Sequence, residues 1–161
     1  MKKIQYSVSL ALLLLIVACA PHRKQSVQAA TLRTVGQDPR HAQVILYSLN
    51  PNRSKASGAL FHGYGIVGES TIASHTDKRA LLDTLATGID NSQGSSHVCF
   101  KPRHGLHVVY NNQTTDYLIC LQCLHMKVFQ NGHVKNVTIS NSPGPVYYGM
   151  LTKYHIPAPP K

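Results

Sequence analysis

The stretch Leu106-His107-Val108-Val109-Tyr110-Asn111-Asn112-Gln113-Thr114-Thr115-Asp116-Tyr117-Leu118-Ile119-Cys120 decides the fold class. Two runs rich in β-branched and aromatic residues flank a pair of asparagines, and asparagine tolerates the positive φ that a two-residue hairpin turn demands. A turn at Asn111-Asn112 also fixes the pairing. Tyr110 then faces Gln113, His107 faces Asp116 and Arg103 faces Cys120.

Strand-like runs continue on both sides of this hairpin. Tyr117 to about Phe129 reads as one continuous strand, since the run Leu118 to Phe129 contains no glycine or proline, and Val134 to Ile139 reads as another. Ser96 to Phe100 precedes the hairpin as a further strand. Earlier, Val44 to Leu49 forms an apolar run stopped by Asn50-Pro51-Asn52, and Phe61 to Ile72 reads as a strand bent by its glycines. Between these groups, Leu81, Leu82, Leu85 and Ile89 share one face at helical spacing, with Thr76 as the expected cap and Asp77 in the first turn. A last short helix is expected over Val146 to Tyr154, with Pro145 near its first turn and Pro157 as its stop. The order β-β-α-β-β-β-β-α predicts an α+β domain over residues 44–161. It has a small, mainly antiparallel sheet, one mid-chain helix and one short C-terminal helix.

The beginning of the chain is built differently. Met1-Lys2-Lys3 is a positive leader, and from Val8 to Val17 only Ser9 interrupts an apolar run. That run falls short of the about 20 apolar residues a permanent membrane helix needs, and it suits a signal-peptide core. It ends at Ile16-Val17-Ala18-Cys19, which resembles the bacterial lipobox. The resemblance implies cleavage before Cys19, diacylglyceryl transfer to its thiol and acylation of the new amine. Several acyl chains on one residue satisfy the need of stable anchoring for more than one. The competing readings are an ordinary secretory signal using Ala18-Cys19-Ala20 and an uncleaved anchor. Inner-membrane retention in Gram-negative lipoproteins resembles an aspartate after the cysteine, so Ala20 implies the outer membrane, facing the periplasm. Residues 1–18 are then the signal. Residues 19–43, polar and without sustained periodicity, are expected to be a lipidated, flexible tether.

Of the 16 Lys and Arg residues, Lys2 and Lys3 precede the cleavage point, which leaves 14 against 6 Asp and Glu. The remaining basic residues are scattered, with only Arg23-Lys24 and Lys78-Arg79 adjacent, and no basic stripe interleaves with aromatics. Nucleic acid is therefore not expected as a partner. A basic surface facing anionic lipid or cell-wall polymers is expected instead. The implied partners are the membrane, through Cys19, and a cell-wall or envelope component. No glycine-rich phosphate loop, dinucleotide fingerprint or H-E-x-x-H segment occurs.

Chemistry, if the chain has any, is concentrated between His97 and His125. Cys99-Phe100-Lys101-Pro102-Arg103-His104-Gly105 is followed by Cys120-Leu121-Gln122-Cys123. The combination resembles a small bacterial family of exported proteins sharing Cys-Phe-x-Pro-Arg-His-Gly, a hairpin and Cys-x-x-Cys. The leucine helix and the Pro157-Ala158-Pro159 tail also fit, and the resemblance covers roughly residues 45 to 161. It implies no established activity.

With Cys19 assigned to lipid, three thiols remain in an oxidising compartment. Four arrangements are open: a disulfide within the trio; zinc held by Cys99, His104, Cys120 and Cys123; three unrelated thiols; and a nucleophilic Cys99 with His104 as base and Asp116 as orienter. In a continuous strand Cys120 and Cys123 point to opposite faces and can neither bridge nor share a metal, unless a bulge or bend separates them. Arg103, with His104 and Gly105, is a candidate anion-binding loop. The function expected is a non-catalytic binding or structural domain on a lipid anchor, with metal binding and cysteine-dependent catalysis as alternatives.

Overall fold

The computed structural model describes residues 26–53, 58–94 and 99–161. The signal, Cys19 and most of the strand expected at Ser96–Phe100 lie outside them; Cys99 and Phe100 lie within and belong to no strand.

The chain forms α1 (Val27–Gln37), a short 3₁₀ turn (Pro39–His41), β1 (Gln43–Leu49), β2 (Leu60–Phe61), β3 (Tyr64–Thr71) and α2 (His75–Asp90). Then follow β4 (His104–Tyr110), β5 (Gln113–Cys120), β6 (His125–Gln130), β7 (His133–Thr138) and α3 (Gly144–Lys153). One seven-stranded sheet runs in the order β2-β3-β1-β4-β5-β6-β7. Every neighbouring pair is antiparallel. The class is α+β, as expected, with one helix more than expected.

Alternation along the strands divides the sheet into two faces. Val44, Leu46, Leu106, Val108, Tyr117, Ile119, Met126 and Val128 pack with Leu32 of α1, Leu81, Leu82 and Leu85 of α2, and Tyr147 and Leu151 of α3. This is the main core. The opposite face carries a smaller cluster of Tyr47, Leu49, Phe61, Tyr64 and Leu118.

That second face is curled, and Gly105 shows how. A Cβ there would lie 2.8 Å from Phe61 Cδ1 and Cε1, so the missing side chain is what lets the Phe61 ring of β2 lie over β4. Phe61 also stacks on Tyr47 at 4.4 Å between centroids. The β2–β3 hairpin thus folds back across the sheet, and its turn residues His62 and Gly63 take φ of 49° and 82°.

The hairpin at Asn111-Asn112 forms with both residues at positive φ, and the pairing places Tyr110 opposite Gln113 and His107 opposite Asp116. Four expectations need correction. The single bent strand expected from Phe61 to Ile72 is a hairpin, with Phe61 in β2 and Tyr64–Thr71 in β3 paired antiparallel across the turn at His62-Gly63. Residues 27–37, read as tether, are helix: Ser26 caps the end by accepting from the Ala29 N–H at 3.1 Å. Ala29, Leu32 and Val35, spaced by three, bury against the core. Arg33 pairs with Asp90 at 2.5 Å. The mid-chain helix is capped by Ser74, whose hydroxyl accepts from the Asp77 N–H, and Thr76 lies inside it. The supposed continuous strand Tyr117–Phe129 is a hairpin, broken at residues 121–124 with Leu124 at φ 52°.

Candidate functional site

The curled face holds the side chains with chemical potential. Strand register sets Ile45, His107, Asp116, Phe129 and Val134 in one cross-strand row. Within it, Asp116 stands between two imidazoles. Its Oδ1 lies 2.7 Å from His107 Nδ1, and its Oδ2 lies 2.7 Å from His62 Nε2. An ionised carboxylate only accepts, so each ring presents an N–H to it. The His62 ring also stacks on Phe129, with centroids 3.7 Å apart. His62 has no ligand spacing to the other histidines in the sequence; only the back-folded hairpin brings it to Asp116.

A groove of about 530 Å³ opens beside the aromatic cluster, lined by Pro51, Asn52, Arg53, Tyr64, Phe100, Lys101, Arg103 and Lys161. Four of these residues are cationic and none carries a side-chain carboxylate. The Arg53 guanidinium lies 4.4 Å from the centre of the Tyr64 ring and donates to the His62 carbonyl at 3.3 Å. Arg103 donates through Nε to the Pro160 carbonyl at 3.2 Å and through Nη1 to Gln122 at 2.6 Å. Lys127 stands 4.8 Å over Phe100 from outside the groove. Ring contacts and hydrogen bonds hold the Arg53 and Arg103 guanidiniums in place, so these two side chains lose little freedom when an anion arrives.

The three sulfurs are close but unequal. Cys120 and Cys123 are joined, with Sγ atoms 2.09 Å apart, across the turn that breaks the expected strand. Cys99 is free and exposed, and its Sγ is 3.7 Å from Cys123 Sγ.

His104 sits apart from all of these. It is 1 % exposed, directed to the helix side of β4, with its ring edge-on to Tyr147 and Tyr148 at 5.6 and 4.9 Å. Neither ring nitrogen has a hydrogen-bond partner. Burial, with a smaller contribution from Arg103, pushes its pKa down to about 4, so it is neutral at physiological pH.

The candidates drawn from the sequence therefore separate. Cys99, His104 and Asp116 do not form a nucleophile–base–orienter line: His104 faces the helices, and Asp116 bonds His62 and His107 on the other face. The four-ligand set Cys99, His104, Cys120 and Cys123 does not converge. Two of its sulfurs are in a disulfide, and strand alternation puts His104 and Cys120 on opposite faces. Among the described residues, no group of three or more His, Cys, Asp or Glu is placed to hold a metal ion. Arg103, the anion candidate, does join a cationic site. Arg53 and Lys161 were not singled out in the sequence, being distant from it along the chain.

No protein-family model and no curated protein matches the chain. Among solved structures it is similar to a Clostridium perfringens chain described as a candidate lipoprotein, at 11% identity and a TM-score of 0.44. The likeness covers 79% of this chain and 93% of that one.

Proposed function

We propose that this chain is a lipid-anchored envelope protein whose curled sheet face binds an anionic polymer of the envelope, without turning it over. The observation that carries the binding reading is the groove in which Arg53, Lys101, Arg103 and Lys161 converge with no side-chain carboxylate among them. Three separate segments supply these cations: the loop after β1, the loop before β4 and the C-terminal tail. Low-dielectric aromatic walls formed by Tyr64 and Phe100 strengthen the field they create. Phosphate or carboxylate groups spaced along a polymer fit such a site, each cation engaging one group.

The anchor reading rests on Ile16-Val17-Ala18-Cys19 and the apolar run before it. With Ala20 after the cysteine, this reading assigns the chain to the outer membrane, facing the periplasm. Among the described residues no helix is long and apolar enough to cross a membrane; the attachment proposed is through acyl chains on Cys19.

Hydrogen–deuterium exchange of the full chain with and without polygalacturonate tests the binding reading. Slowed exchange at Asn52, Arg53, Lys101 and Arg103 is the expected footprint; slowing spread evenly over the surface, or none, contradicts it. Fractionation of cells making the Cys19→Ala chain tests the anchor, which requires that variant to leave the membrane fraction.

A further inference from the structure

The sulfur trio has geometry that the binding role does not use. Cys120 and Cys123 are each 1 % exposed, so dissolved thiols meet their disulfide with difficulty. Cys99 is exposed and stands 3.7 Å from Cys123 Sγ. That is contact distance for two sulfurs, on the atom a nucleophile must strike. The bond on the far side is prepared for departure. The Cys123 N–H donates to Cys120 Sγ at 3.2 Å, and such a bond stabilises a thiolate more than a disulfide sulfur. The Lys101 N–H donates to Cys123 Sγ at 3.4 Å, tying the Cys99 segment to the disulfide.

We propose that Cys99, Cys120 and Cys123 form a thiol–disulfide exchange site in which Cys99 connects a buried disulfide to thiols of other molecules. Deprotonated Cys99 attacks Cys123 Sγ. The Cys99–Cys123 bond forms, the Cys120–Cys123 bond breaks, and Cys120 leaves as a thiolate that takes up the proton Cys99 gave to solvent. Nothing is oxidised or reduced overall, so this first step needs no partner.

The rearranged disulfide now has one exposed end. A thiolate from a small thiol or a protein cysteine attacks Cys99 Sγ, forming a mixed disulfide and releasing Cys123 as a thiolate. A second such thiolate attacks the outer sulfur of that mixed disulfide, freeing Cys99 as a thiolate and leaving an external disulfide. Two external thiols are oxidised and one protein disulfide is reduced to two thiols; the reverse sequence delivers a disulfide to a partner. The site does not depend on the groove reading, since none of the three sulfurs lines the groove.

The full-length chain, its Cys99→Ser variant and its Cys120→Ser variant separate the outcomes by acid quenching, alkylation and tryptic mapping. Cleavage after Arg103 puts Cys99 and Cys123 on different peptides, and Cys19 is read on its own peptide. At mildly alkaline pH without added thiol, the unmodified chain should yield a Cys99–Cys123 linked peptide with Cys120 alkylated. With glutathione, the Cys99→Ser chain should lose its disulfide about tenfold more slowly than the unmodified chain. The Cys120→Ser chain should oxidise in air to a Cys99–Cys123 disulfide. Detection of only the Cys120–Cys123 pair, with equal reduction rates for the first two proteins, overturns the proposal. So does a folded Cys120→Ser chain whose two thiols stay free.

Discussion

His62 Nε2 lies 2.7 Å from Asp116 Oδ2, although 54 residues separate the two along the chain. This contact latches the tip of the β2–β3 hairpin to β5 and thereby closes the curl of the sheet. His107 completes the arrangement from β4, so the hairpin turn and the two strands β4 and β5 meet at one carboxylate. With Asp116 at 17% and both histidines at 26% side-chain exposure, the cluster is partly shielded from solvent.

Asp116→Asn should therefore loosen the hairpin tip and lower stability by about 1–3 kcal/mol, because the amide offers an N–H where one ring already presents one. Urea denaturation measures the cost, and hydrogen exchange at Gly63 and Tyr64 localises it. An unchanged midpoint with unchanged exchange at the tip would show that the latch contributes nothing.

Gly105→Ala tests the same curl from the opposite side. The added methyl would sit 2.8 Å from the Phe61 ring and 3.2 Å from Tyr47 Cβ, so Phe61 must lift. The expected loss is about 1–3 kcal/mol, together with faster exchange at the hairpin tip. If the variant is as stable as the parent, Phe61 does not depend on the bare backbone at position 105.

Acid should act through His104. Its folded pKa of about 4 lies below the ordinary histidine value of 6.5, so between these values the unfolded chain binds the proton that the folded chain refuses. Stability from this residue is fully present above pH 6.5 and falls as the pH drops toward 4, by roughly 3 kcal/mol in all. His104→Met keeps the volume and removes two unpartnered nitrogens. It should raise the Tm at pH 7 and flatten the stability profile between pH 6.5 and 4. A variant that is less stable and equally acid-sensitive would place the effect elsewhere.

Asp77 gives a second pH signature at lower pH. Hydrogen bonds from Lys153 Nζ at 2.8 Å and Tyr154 Oη at 2.7 Å hold its carboxyl below the ordinary carboxylate range. The contribution is present above the unfolded carboxyl pKa and disappears as the pH falls through the folded one. At neutral pH, Asp77→Asn should cost about 1–2 kcal/mol by loosening α3 from α2. Parent and variant profiles should converge in strong acid; a constant gap would exclude titration of Asp77 as the cause.

Much of this architecture is legible in the sequence because it is local. Asn111-Asn112 sets a turn, the turn sets the register, and the register puts His107 beside Asp116. The leucines of α2 announce their buried face in the same way. What stays hidden depends on contacts made at a distance. The α1 helix has Ala29, Leu32 and Val35 at suitable spacing, but a single apolar stripe in a polar segment becomes decisive only when α2 is there to receive it. The turn at residues 121–124 has no glycine or proline. Leu124 takes the positive φ itself, and the Cys120–Cys123 bond joins the two sides of the turn. The groove is illegible for the same reason. Arg103 alone stands out in the sequence as an anion candidate; Arg53, Lys101 and Lys161 are gathered to it by folding and read only as scattered basic residues along the chain.

The most direct measurement is equilibrium titration of the full-length chain with polygalacturonate and with inorganic polyphosphate, alongside an Arg53→Gln/Arg103→Gln double variant and a Lys135→Glu control that lowers the net charge equally. Lys135 is exposed on β7 and lies outside the groove. The expected result is saturable binding to at least one polymer that weakens as salt rises from about 50 to about 200 mM, falls at least about tenfold in the double variant and persists in the control. Equal weakening in both variants would reduce the effect to net charge, and failure of the unmodified chain to bind either polymer would contradict the assignment of the groove as an anion site.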